Sequence, residues 1–88
     1  MRFSVSFSLL ELPEMEVEAI LFSTRIWLDD ETIQYTLGPK EECGGGKASI
    51  DVNLEEISEE ELDATMIDFG GFLEECGITY VTDDPKAS

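Results

Sequence analysis

Residues 57–78 carry the start signals of one amphipathic helix, and a chain of 88 residues has little else to fold around. Ser58 followed three residues later by Glu61 is a capping box, which satisfies backbone N–H groups that the first turn leaves unpaired. Ile57 and Leu62 flank this box as a hydrophobic staple. The sequence therefore predicts a helix that begins at Ser58.

The same segment carries a stop signal and an apolar stripe. Gly77 is suited to the left-handed conformation that closes a helix, and Ile78 would then pack on Leu73 in a Schellman motif. The apolar residues at helical spacing form a stripe wide enough to cover a core. They are Leu62, Thr65, Met66, Phe69, Phe72, Leu73 and Cys76. We expect Cys76 to be a buried, reduced thiol on this stripe.

The opposite side of the helix is the predicted partner-binding surface. Its residues are Glu60, Glu61, Asp63, Ile67, Asp68, Gly71, Glu74 and Glu75. From Ala48 to Pro85 there is no Lys or Arg, so helical ion pairs cannot neutralise these carboxylates. Ile67 is the expected apolar anchor at the centre of the surface. Acidic positions elsewhere, such as Glu16, Glu18, Asp29 and Asp30, are expected to lie outside it.

Length and charge limit the classes of fold and partner. The chain is long enough for one domain, residues 1–88, and its 42% hydrophobic content supports a folded core. Five basic and 21 acidic residues give a net charge of −16, which repels nucleic acid and anionic membranes. A basic protein is the expected partner, and solubility or life in high salt is the alternative explanation of the acidity.

Alternating segments predict strands on both sides of the helix. Phe3, Val5, Phe7 and Leu9 share one face of the first strand, and serines occupy the other. Three further strands are predicted at 32–37, 48–55 and 78–82. Residues 40–47 have no periodicity and contain three consecutive glycines, so they are expected to form a flexible loop. Residues 83–88 are expected to be frayed.

The segment between Met15 and Leu28 fits two structures. It alternates with a change of phase near Ala19, which predicts a strand with a β-bulge. A short helix across residues 14–22 is the rival interpretation, favoured by the glutamates. In the strand interpretation, the acidic residues 29–31 make a tight hairpin connection to the next strand.

These elements predict an α+β fold. The expected order is ββββαβ, with a mainly antiparallel sheet of four to five strands and one amphipathic helix across its apolar face. A strand–helix–strand crossover would make the last strand run parallel to the fourth.

Several kinds of chemistry find no support in the sequence. There is no histidine to act as a general base near neutral pH or to complete a zinc site with two cysteines. Gly44–Gly46 and Lys47 do not form a phosphate-binding loop, because Glu41 replaces its first glycine and Ala48 its Ser or Thr. We therefore expect a non-enzyme with no catalytic residues, no cofactor and no metal site.

The sequence therefore predicts a small acidic inhibitor of the immunity or anti-defence type. It would occupy the basic groove of a nuclease or other nucleic-acid-binding protein and would bind neither nucleic acid nor a membrane directly. The alternative is a structural or adaptor subunit that forms a homodimer or larger oligomer. The N-terminus alternates instead of showing the apolar run of a signal peptide, so a cytoplasmic location is expected.

Overall fold

The computed structural model describes residues 2–87, apart from the side chain of Cys43. Across these residues the elements are, in chain order, β1 (Arg2–Pro13), α1 (Val17–Asp30), β2 (Gln34–Leu37), β3 (Glu41–Gly44), β4 (Lys47–Ser58), α2 (Glu59–Glu75), β5 (Thr79–Thr82) and β6 (Lys86–Ala87). A 3₁₀ turn, Glu14–Glu16, joins β1 to α1.

The strands form one antiparallel sheet in the spatial order β2-β4-β1-β5. β3 also pairs with β4 and β6 also pairs with β1, so each outer position of the sheet is shared by two short strands. β4 and β5 are both antiparallel to β1, which confirms that they run in the same direction, with β1 between them. Each helix therefore belongs to a split β–α–β unit.

One face of the sheet forms the core with both helices. Alternation places Val5, Phe7 and Leu9 of β1 in the interior, as predicted. Phe3, predicted on the same face, is only partly buried, as are the intervening serines. Ile50, Val52 and Leu54 of β4 and Phe69 and Leu73 of α2 belong to the same cluster. The ring of Phe69 meets the ring of Phe7 edge to face, with 4.7 Å between the centroids.

The predicted α+β class and antiparallel sheet are confirmed, whereas the order ββββαβ, with one helix and four to five strands, is corrected to two helices and six strands across the described residues. The segment expected to be a bulged strand is α1, and this helix continues eight residues beyond the end of the rival short helix, from Phe22 to Asp30. Val17, Thr24 and Leu28 recur at helical spacing and are buried. Phe22 and Ile26 are exposed apolar residues, and they produced the false alternation.

Residues 29–31 do not form a hairpin connection, because they belong to the end of α1. Thr32 follows in the left-handed conformation with φ 58°, and the Ile33 N–H donates to the Leu28 carbonyl at 3.0 Å. This arrangement closes α1 as a Schellman motif closes a helix. β2 then begins at Gln34, within the strand predicted at 32–37, and Ile33, Tyr35 and Leu37 pack against the core.

Two segments expected to be irregular take part in the sheet. The loop predicted at 40–47 is mostly paired, since β3 extends to Gly44 and β4 begins at Lys47, leaving the turn Gly45–Gly46. Both turn residues have positive φ, which glycine tolerates and which suits a tight hairpin. Lys86 and Ala87, in the terminus expected to be frayed, pair with β1, and Ser88 lies outside the described residues.

The chain contains an internal repeat, in which residues 2–42 are equivalent to residues 47–87. Equivalent residues differ by 45 in number, so Arg2 corresponds to Lys47. The strand pairing has the same repeat. Tyr35 lies opposite Leu54 in the β2–β4 pair, and their equivalents, Tyr80 and Leu9, lie opposite each other in the β5–β1 pair. Identical residues at equivalent positions include Ser4/Ser49, Leu9/Leu54, Glu11/Glu56, Ala19/Ala64, Leu28/Leu73, Ile33/Ile78 and Tyr35/Tyr80. The repeated unit is strand–helix–strand.

The repeat gives the molecule an approximate twofold axis. β1 and β4 are equivalent strands that pair antiparallel, and their equivalent residues Phe7 and Val52 lie opposite each other. An antiparallel pair centred on equivalent residues is mapped onto itself by a twofold rotation. The backbone irregularities obey it too, because Glu11 and Glu56 both have φ 54° at equivalent bulges.

Candidate functional site

The ends of α2 position the predicted surface. Ser58 is the N-cap in an extended conformation, as predicted, although within the described residues its hydroxyl makes no capping hydrogen bond. At the other end Gly77 has φ 72°, and the Ile78 N–H donates to the Leu73 carbonyl at 2.9 Å. The Gly77 N–H donates to the Glu74 carbonyl at 3.0 Å, which completes the predicted Schellman motif.

The inner side of α2 fixes its rotation about the helix axis. Phe69 and Leu73 are fully buried, while Leu62, Met66 and Phe72 are partly buried against the core, so most of the predicted stripe is confirmed. Cys76 is a correction, because its thiol is exposed. It is the C-cap residue, where the helix ends and the chain turns towards β5, so the stripe does not continue to it.

The outer side of α2 presents the predicted binding residues. Glu60, Glu61, Asp63, Ile67, Asp68, Glu74 and Glu75 are exposed, and Gly71 is partly exposed. Ile67 is 73% exposed and lies among these carboxylates. The structure thus brings the predicted residues together on one helix surface.

Two depressions flank this outer surface, and Ile67 and Gly71 line both of them. The first lies between the helices, where Trp27 and Glu31 face Asp68, Phe72 and Glu75 across it. The second lies between α2 and β5 and includes Met66, Tyr80 and Glu74. Apart from its chain neighbours and the backbone of its own helix, a Cβ built on Gly71 would meet no described atom within 4 Å, so the space beside this residue is open.

Gly70 and Gly71 have different surroundings. A Cβ on Gly70 would lie 2.6 Å from the Tyr80 hydroxyl, so the tyrosine crosses the helix where glycine leaves room. Gly71 has no such neighbour. Packing therefore explains the first glycine, whereas no contact among the described residues explains the second.

The two helices, α1 and α2, form a layer on one face of the sheet, and the electrostatic field of this helix layer is almost entirely negative. α2 contains no cation, and Arg25 is the one basic residue in the sequence of α1. The Lys40 ammonium pairs with the Glu14 carboxylate at 3.6 Å, next to the 3₁₀ turn. Neither helix has a basic residue in its last turn, so Glu74 and Glu75 lie unfavourably near the negative end of the α2 dipole.

Sequence reasoning missed the contribution of α1 to this surface. Phe22 is 65% exposed and Ile26 is 47% exposed on the outer side of α1, and Trp27 lines the depression between the helices. Phe22 and Ile26 are four residues apart, a spacing that puts two side chains on the same face of a strand as well as of a helix. Comparison of the chain with itself at the 45-residue shift would have found them, because it aligns Phe22 with Ile67 and Trp27 with Phe72.

Both depressions are lined by apolar side chains together with carboxylates. In the described part of the chain, no three His, Cys, Asp or Glu residues lie close enough together to hold a metal ion. The helices among these residues are too short or too polar to cross a membrane. The chain matches no known protein family, no curated protein and no solved structure.

Proposed function

We propose that the protein is a small, non-catalytic inhibitor that binds a basic protein through the outer surface of α2. The expected partner is a nuclease or another nucleic-acid-binding protein whose positively charged groove is occupied by the inhibitor. The observation that carries this proposal is the exposure of Ile67 within a helix surface that has carboxylates and no cation. The biological setting would be immunity or anti-defence.

The charge distribution supports a competitor of nucleic acid. Residues seven apart on a helix lie about 10.5 Å apart along its axis, so Glu61, Asp68 and Glu75 form one row of carboxylates. Such a row matches phosphates in sign but not in their closer spacing. Long-range attraction would speed association, and the apolar contact at Ile67 would slow dissociation.

Gly71 supports direct contact at this surface. An exposed glycine inside a helix costs about 1 kcal/mol relative to alanine, and no described neighbour requires it. An approaching backbone or side chain would use the space between Ile67 and Glu75. In this proposal the glycine is retained for the partner and not for the fold.

We also propose a cytoplasmic location. Cys76 carries an exposed thiol that forms no disulfide within the described residues, which fits a compartment that keeps thiols reduced. The proposal that the protein is not an enzyme rests on its composition, since the chain has no histidine and its acidic groups on α2 are exposed.

A capture experiment with two charge-matched baits tests the function. Immobilised protein is mixed with lysate at low salt, bound proteins are eluted at higher salt, and nucleic-acid cleavage or binding by the purified captured protein is measured with and without the inhibitor. Asp68→Lys with Glu75→Lys is expected to abolish capture and inhibition. Glu41→Lys with Glu42→Lys changes the net charge equally on β3, outside both depressions, and is expected mainly to slow association.

The outcomes separate the proposal from its rivals. Equal losses from both bait pairs would point to a diffuse effect of net charge and would reject α2 as the contact surface. Recovery of a captured protein whose activity is unaffected by the inhibitor would reject inhibition.

The second candidate is an adaptor that associates with its own copies, its acidity serving solubility or high-salt adaptation, and the exposed Phe22 and Ile26 favour it. Apolar self-association between two chains of charge −16 should strengthen as salt screens their repulsion. Sedimentation analysis at low and high salt measures this directly. A dimer that dissociates after Phe22→Ser, together with recovery of only its own copies from lysate, would favour the adaptor.

A further inference from the structure

The two helices expose an apolar side chain at equivalent positions. The 45-residue shift takes Phe22 of α1 to Ile67 of α2, and these side chains are 65% and 73% exposed. Both side chains lie among exposed carboxylates. Their occurrence in both halves of the repeat indicates a requirement shared by the two helices.

The acidic surroundings repeat in the same way. Exposed carboxylates occupy equivalent positions in both halves, in the pairs Glu14/Glu59, Glu16/Glu61, Glu18/Asp63, Asp29/Glu74 and Asp30/Glu75. Four of these residues of the first repeat were expected to lie outside the α2 surface, namely Glu16, Glu18, Asp29 and Asp30. Their equivalents in the second repeat all belong to that surface. The acidic field belongs to the helix pair and not to α2 alone.

The approximate twofold axis passes between the helices. Trp27 and Phe72 are equivalent residues, and their rings stack across the gap with centroids 5.7 Å apart and planes inclined by 27°. Both rings are partly exposed and line the depression between the helices. The outer layer therefore has an aromatic pair at its centre and exposes Phe22 and Ile67 at equivalent positions, while α1 also exposes Ile26, whose equivalent in α2 is Gly71.

We infer that this helix layer is a single docking surface with approximate twofold symmetry, and that it fits a basic homodimer whose own twofold axis coincides with the axis between the helices. This inference rests on the proposed function and specifies the partner's symmetry. One chain would bind each dimer, with Phe22 and Ile67 contacting equivalent sites on the two subunits. Most homodimers have closed twofold symmetry, so such a partner offers two identical sites at a fixed separation.

Charge complementarity selects a basic partner instead of a second copy of this chain. Two copies docked through the helix layers would bring the repeated carboxylates together, with only Arg25 of each chain to oppose them on the helices. Like charges placed opposite each other at an interface cost several kcal/mol. A basic dimer would meet carboxylates at both sites.

Defined peptides test the symmetry before the partner itself is identified. The probes are a short amphipathic peptide of leucine and lysine, and a dimer of it joined by a Gly/Ser linker that spans the helix pair. A peptide of equal charge with serine in place of leucine controls for diffuse ionic attraction. Titration calorimetry at physiological salt gives the number of peptides bound per chain and the affinity of each probe.

Two single peptides are expected to bind each chain, and the dimeric peptide is expected to bind one to one and at least about tenfold more tightly, since its second contact is intramolecular. Phe22→Ser and Ile67→Ser should each reduce the number of single peptides to one and remove the tenfold gain. Val81→Ser removes another exposed apolar side chain, on β5, and should change neither value.

The alternative outcomes separate the inference from the proposed function. One peptide per chain, lost after Ile67→Ser and unaffected by Phe22→Ser, would overturn the twofold surface while leaving the α2 site in place. Absence of leucine-dependent binding, or binding that neither substitution changes, would reject both. Circular dichroism of each variant establishes that the fold is retained.

Discussion

Gly70 and Gly71 are adjacent in α2 but should respond oppositely to alanine. Gly71→Ala adds a methyl group in open space and is expected to raise the free energy of unfolding by about 1 kcal/mol through helix propensity. Gly70→Ala would place its Cβ 2.6 Å from the Tyr80 hydroxyl, so displacement of the tyrosine should cancel most of this gain. Urea unfolding followed by Trp27 fluorescence measures both values, and equal stabilisation would contradict the packing role of Gly70.

If Gly71 is retained for the partner, Gly71→Ala should weaken binding while it stabilises the free protein. The captured partner, titrated against the wild type and both alanine variants, gives this comparison. Unchanged affinity for Gly71→Ala would remove the main reason to place the contact beside Ile67.

Thr32 is a second residue whose backbone conformation predicts a change in stability. It has φ 58° at the position where the repeat has Gly77 with φ 72°. The left-handed conformation costs a β-branched residue roughly 1–2 kcal/mol, and glycine's extra freedom in the unfolded chain offsets part of the relief. Thr32→Gly is therefore expected to stabilise the protein by about 0.5–1 kcal/mol in urea unfolding.

Thr36→Gly is the matched control, because Thr36 lies in β2, where glycine is unfavourable. It should lower the free energy of unfolding. A destabilising effect of Thr32→Gly of the same size would show that the end of α1 depends on the threonine side chain and not on backbone strain.

At the scale of the elements, α2 combines a favourable first turn with an unfavourable last one. Glu59, Glu60 and Glu61 lie at the positive end of the helix dipole, whereas Glu74 and Glu75 lie at its negative end. Glu74→Lys and Glu60→Lys change the net charge equally and differ in their position on the dipole. Glu74→Lys should therefore be the more stable variant by about 0.5–1 kcal/mol at low salt.

Denaturant unfolding of the two variants in low and high salt checks this expectation. The difference should shrink as salt screens exposed charges. If the two variants have the same stability at low salt, net charge and not the dipole controls the stability of this helix.

At the scale of the whole molecule, a charge of −16 on 88 residues should make stability depend on salt in an unusual direction. Repulsion among the carboxylates opposes the compact state. Raising the ionic strength from about 0.01 M to 0.15 M shortens the screening length from about 30 Å to 8 Å, so it should raise the melting temperature. Calorimetry in sodium chloride measures the change. Glu41→Lys with Glu42→Lys should reduce the dependence, and a melting temperature that falls with salt would show that self-repulsion does not control the stability of this protein.

The symmetry of the molecule was present in the sequence but could not be recognised from local patterns. The first repeat has Pro13 where α2 has its N-cap Ser58, and Thr32 where α2 has Gly77, so α1 lacked the start and stop signals that identified α2. The local sequence around Phe22 likewise does not indicate that its side chain is exposed, whereas its equivalence with the exposed Ile67 does. The α2 part of the candidate surface was predicted residue by residue, whereas the α1 part required recognition of the repeat.

The sequence by itself determined the elements whose signals are local. Serine alternation defined the interior face of β1, Gly77 closed α2, and the absence of cations between Lys47 and Lys86 made the outer surface of α2 acidic. Tertiary structure decided that the segment from Val17 is a helix, because its apolar residues fit the spacing of a strand as well as that of a helix. In the fold, Val17, Thr24 and Leu28 are buried at helical spacing. Tertiary structure also decided that β1 lies between β4 and β5, since strand neighbours depend on hydrogen bonds between residues far apart in the chain.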